Sequence, residues 1–135
     1  MEITADEGRL IASLFEAKHV RPKSVAELLL GWKKLVGEIE QGYRLTIYDY
    51  TNDLGTRDLL NYLSRNLPTE LSRRIEAALE DADSRFRAAT VEFPRGVLPR
   101  AATSDRWWYF RKPKIMVGDL KDDFLPLESS ETDPQ

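Results

Sequence analysis

The sequence has no cysteine and one histidine, His19. Without thiols, disulfides, zinc–thiolate sites, iron–sulfur clusters and cysteine nucleophiles are all excluded. Small secreted domains often rely on disulfides, so this absence fits the cytosol. A single histidine rules out metal sites built from several histidines of this chain, including the paired Glu-x-x-His di-iron motif. It also leaves one candidate base for a Ser-His-Asp triad, and no G-x-S-x-G elbow accompanies it. Neither G-x-x-x-x-G-K nor G-x-G-x-x-G is present, so the usual phosphate cradles are missing. His19 follows the expected end of the first helix, where a cation complements the helix dipole; that structural role is the reading adopted for it.

Long apolar runs are lacking too. The aliphatic run Leu28–Leu30 is far short of the ~20 residues of a membrane-spanning helix. The start, Met-Glu-Ile-Thr-Ala-Asp-Glu-Gly, carries acid where a signal peptide needs a basic start and an apolar core. Glu2 stands where N-myristoylation requires glycine. The expected location is therefore the cytoplasm, with no membrane contact. Charge of one sign is also scarce: the net charge is −3, which does not favour nucleic acid as the main partner.

What is present is one domain's worth of chain. With 135 residues, 41% hydrophobic and 32% charged, the composition is that of a folded, well-solvated unit. Leu10, Ile11, Leu14 and Phe15 mark one face of a first helix over about 5–18, which Pro22 ends. Ser24 and Glu27 form a capping box for a second helix with the stripe Val25, Leu28, Leu29, Trp32, Leu35, Val36, Ile39, closing near Gly42. A third helix is expected over about 46–66. A strand over 44–50 is its rival, and a split at Gly55-Thr56 would make Thr56 an N-cap. The fourth, over about 69–89, carries Leu71, Ile75, Ala78, Leu79, Ala82 and Phe86. Glu70–Arg74 and Asp81–Arg85 are expected as i, i+4 pairs on it.

Beyond Thr90, Pro94, Gly96 and Pro99 break the helical pattern. Leu120 and Phe124 share one face of a short helical turn within 115–125. The fold class is thus mainly α: a single-domain bundle of about four helices over residues 1–126. An extended aromatic C-terminal segment lies across it, because two tryptophans and two other rings are costly to leave wet. Residues 127–135 read as a disordered acidic tail.

Two clusters can carry chemistry. On a helix, Asp49 and Asp53 share a face, Tyr48 and Asn52 lie beside them, and Arg57 stands one turn on. Two carboxylates at this spacing can hold a hard cation or act as acid and base. The plainer reading is a polar network with Arg57 bridging to Asp53. The second cluster, Arg106-Trp107-Trp108-Tyr109-Phe110-Arg111, interleaves bases and rings. Such a stretch binds single-stranded nucleic acid by stacking, forms a protein-binding hot spot, or packs alternate rings on the bundle beneath arginine stems.

Trp32, Glu38-Ile39-Glu40, Gly42-Tyr43, Tyr48-Asp49-Tyr50, Asn52-Asp53-Leu54 and Arg57-Asp58-Leu59-Leu60, with the Trp-rich segment Trp107 to Pro113, resemble a group of short, uncharacterised bacterial proteins common in actinomycetes. The likeness spans about residues 10–115 and implies a bacterial cytoplasmic protein. It carries no activity, cofactor or site. With no catalytic set in view, the expected function is a non-enzymatic protein-binding module of the immunity-protein or adaptor type, its partner another protein and its cofactors none. A small enzyme or metal-dependent protein using Tyr48, Asp49, Asp53 and Arg57 is the alternative.

Overall fold

The computed structural model describes residues 1–97 and 105–132, with side chains to Leu127. Helix α1 (Ala5–Ala17) opens on a capping box. The Thr4 hydroxyl accepts from the Glu7 N–H, and the Glu7 carboxylate accepts from the Thr4 N–H. It ends in a Schellman motif: the Val20 N–H donates to the Phe15 carbonyl and the His19 N–H to that of Glu16. His19 takes the left-handed position of that motif, at φ 57°. Its place just past the helix matches the expectation, and its backbone makes the stop.

Helix α2 (Val25–Gln41) starts at Ser24, whose hydroxyl accepts from the Glu27 N–H. The reciprocal half of the expected box is absent; Ser24 Oγ instead donates to Glu27 Oε1 at 3.4 Å. The helix stops at Gly42, φ 109°, where a β-carbon would lie 3.0 Å from Ile115. Only glycine meets both demands there.

The region 46–66 is helical and divided, as α3 (Ile47–Asp53) and α4 (Gly55–Asn66). The strand alternative fails because Thr46 and Asp49 form a second capping box. The expected cap at Thr56 is not formed: α4 starts at Gly55, with Leu54 before it and no side-chain cap. Helix α5 (Thr69–Ala89) leads into an antiparallel pair, β1 (Thr90–Glu92) with β2 (Arg111–Pro113), in the register Thr90↔Pro113. A 3₁₀ turn covers Trp107–Phe110. Helix α6 (Gly118–Thr132) continues through Pro126, past the boundary expected there. The break expected at Pro99, and the end of the expected tail at 133–135, lie outside the described residues.

Helix α2 packs on α4 and α5, α1 leans on α4, and α6 covers α3. One apolar cluster joins them, from Ile11 and Phe15 through Trp32, Ile39, Leu60, Ile75 and Phe86 to Leu120 and Phe124. The chain is mainly α, and its aromatic segment lies across the bundle as the cost of wet rings requires. Of the two pairs expected on the wet face of α5, Glu70–Arg74 forms and Asp81–Arg85 gives way to another partner. Glu70 reaches Arg74 at 3.9 Å but holds Arg73 at 2.8 Å. Arg85 turns from Asp81 to Glu40 of α2. Arg85's hydrogen bonds hold Glu40 below the usual carboxylate range.

Candidate functional site

The acidic cluster on α3 does not converge. Asp49 is consumed by the cap, accepting from the Thr46 N–H at 3.3 Å and its hydroxyl at 2.8 Å. Asp53 accepts from the Tyr43 hydroxyl at 2.5 Å. Tyr48 points into solvent, 77% exposed, and Asn52 is exposed as well. Arg57 does not bridge to Asp53. It is buried and donates Nε and Nη2 to Asp83 of α5 at 3.0 and 2.9 Å. Among the described residues no group of three His, Asp or Glu side chains is placed to hold a metal ion.

That Arg57–Asp83 pair is the centre of a different network. Asp83 also accepts from the Trp32 indole at 2.9 Å. The Arg57 guanidinium lies 4.5 Å from the Trp108 ring centroid, close enough for a cation–π contact. Trp108 donates its indole N–H to Asp58 at 2.8 Å, and the Tyr109 hydroxyl donates to the same carboxylate at 2.6 Å. Arg106 completes the Asp58 site at 3.4 Å. Two carboxylates thus serve two indoles, a phenol and two guanidinia, and tie α2, α4, α5 and the aromatic segment together. Among the described residues no buried side-chain polar atom lacks a partner.

The aromatic segment is therefore mostly interior. Trp108 and Tyr109 are buried, and they are consecutive. The expected alternation of inward and outward rings assumed extended backbone; the 3₁₀ turn sends neighbours inward together. Arg111 seals the end of α5, donating to the Thr90 hydroxyl at 2.7 Å and to the carbonyls of Thr90 and Arg87. Trp107 is half-buried, with the Arg87 guanidinium 3.8 Å from its ring centroid. With Phe110, Arg111 and Glu92 it lines a shallow cleft of about 380 Å³.

Asp83 and Asp58 were not legible as the hubs. A signal existed for Asp83: it lies four residues after Leu79 and three before Phe86, on the apolar face of α5. An acid on that face marks a buried donor awaiting it.

Three tyrosines share a second property. Burial pushes Tyr43, Tyr50 and Tyr109 above the ordinary phenol value, with Asp53 adding to the effect at Tyr43 and Asp58 at Tyr109. The unfolded chain ionises its phenols near pH 10. The folded chain holds these three protonated there, so it binds more protons and loses stability as pH rises. Below pH ~10 their contribution is fully present. Tyr50→Phe should make the decline between pH 10 and 11 shallower by up to ~1.4 kcal/mol per pH unit. Urea unfolding at stepped pH measures this; identical slopes for both proteins would refute it.

The groove between α1 and α2 has the composition of a binding surface. Tyr62 donates to the Leu14 carbonyl and Arg74 pairs with Glu7, holding α1 onto α4 and α5. Ile3, Ile11, Val25 and Leu29 line a groove of about 660 Å³, with Leu30 on its rim. Ile11, Val25 and Leu29 on its floor are buried, while Leu30, 70% exposed, and Met1, 53%, bring apolar surface to the solvent. No helix among the described residues is long and apolar enough to cross a membrane.

No protein-family profile matches the chain, and no curated protein or solved structure shows significant similarity to it.

Proposed function

We propose that this chain is a non-enzymatic protein-binding module that uses the α1–α2 groove as its contact surface. The observation that carries this reading is an apolar groove with two exposed apolar side chains, Leu30 and Met1, in its lining. Solvent-facing apolar surface bordered by polar groups is what interaction sites present. The engagement of Asp49, Asp53 and Arg57 with three different internal partners supports a binding role over catalysis by that cluster. An immunity or adaptor role in a bacterial cytoplasm belongs to the same proposal. Nucleic acid is a poor candidate, because the basic and aromatic groups at 106–111 are turned to internal partners.

Leu30→Asp is the direct test. The side chain is mostly in solvent, so stability should shift by no more than ~0.5 kcal/mol. Affinity capture from the native cells should show one stoichiometric protein with the wild type, depleted at least tenfold with the variant. Equal capture by both proteins, or no specific protein with either, would overturn the reading.

A further inference from the structure

Resting on that reading, we infer that the groove takes an amphipathic helix whose flanks are acidic. Its walls are two α-helices, whose backbone donors and acceptors are satisfied internally. An extended peptide laid in an apolar groove would bury its own N–H and C=O groups without partners. A helix satisfies its backbone within itself and presents apolar side chains at i, i+3, i+4 and i+7. The one β-pair described, β1 with β2, lies at the far end of α5 and offers no edge to the groove.

Charge sets the flanks. The charged side chains lining the groove are Lys23 and Lys33, and no carboxylate lines it. Both lysines are exposed, and neither has a carboxylate partner among the described residues. On the facing helix Asp6 pairs with Arg9 and Glu7 with Thr4 and Arg74, and Glu16, near its C-terminal end, does not line the groove. A chain of net charge −3 thus shows a locally positive rim around its apolar groove. From Val25, just after Lys23, to Lys33 the axis of α2 rises ~12 Å, about two helical turns of an occupant. Carboxylates seven to eight residues apart on the bound helix can meet both ammonium groups.

The probe is a displayed library of 16-residue peptides with leucine at i, i+3, i+4 and i+7 and Glu, Gln or Lys randomised elsewhere. Selection on the wild-type protein should enrich Glu-flanked peptides that gain helical circular dichroism on binding. Leu30→Asp should weaken them at least tenfold. Lys23→Glu/Lys33→Glu should invert the selection towards Lys-flanked peptides. Enrichment of neutral or basic peptides on the wild type, or an unchanged preference on the charge-reversed protein, overturns the acidic-helix inference. If binding is still lost with Leu30→Asp, the groove itself stands. Peptides indifferent to Leu30→Asp overturn both. Dodecanoate binding in the groove more tightly than any selected peptide would make the occupant an anionic amphiphile and overturn the helix.

Discussion

Asp83→Ala should lower the unfolding free energy by about 3–5 kcal/mol, the range for removing one partner of a buried ion pair. The side chains of Arg57 and Asp83 are 9% and 13% exposed, so little water can replace the lost carboxylate. Two donors are stranded at once: the Arg57 guanidinium and the indole N–H of Trp32, which is fully buried. Against a total stability of roughly 5–15 kcal/mol, this is enough to unfold much of a marginal population. Urea unfolding would read it as a fall in midpoint at nearly constant slope.

The double variant Asp83→Ala/Arg57→Leu separates the two causes. It removes the stranded charge and leaves the indole without its acceptor. It should therefore be more stable than Asp83→Ala alone, since apolar replacement of a buried pair is often close to neutral. A double variant at least as unstable as the sum of the singles would mean that the pair is not coupled, contrary to the bidentate geometry.

How much of this was legible in the sequence depends on which physics each feature obeys. The stripes of α2 and α5 follow the 3.6-residue period, and Trp32, Ile39, Ile75 and Phe86 are all buried where that period puts them. Local punctuation was equally readable at Gly42 and at His19. The polar side chains were not. Asp49 has two plausible local partners, Asp53 in repulsion and Thr46 in a cap, and the cap wins because it satisfies backbone donors that are otherwise orphaned. Arg57 lies four residues from Asp53, across the break between α3 and α4, yet it pairs with Asp83 twenty-six residues away. No periodicity encodes that choice, because it depends on how α4 and α5 are set against each other. The same limit applies to the groove: its lining residues carry no motif, and they form a surface only through the way α1 is set against α4 and beside α2.

Trp108→Ala should cost about 3–5 kcal/mol, the range for truncating a buried large aromatic. The ring is fully buried, holds Asp58 through its indole and lies against the Arg57 guanidinium, so its loss opens a cavity beside two charges. Trp107→Ala should cost less, about 1–2 kcal/mol, because that ring is half-buried and its main polar contact is the Arg87 cation–π pair. The contrast is informative because the two residues are adjacent and chemically identical. If 106–111 were an exposed hot spot, both truncations would be nearly silent in urea unfolding and both would remove partner binding. The geometry requires the opposite for Trp108: a large loss of stability, with binding at the α1–α2 groove retained at temperatures where the variant is still folded. Should Trp108→Ala instead leave stability within ~0.5 kcal/mol and abolish partner capture, the aromatic segment would be the contact surface and the groove would not.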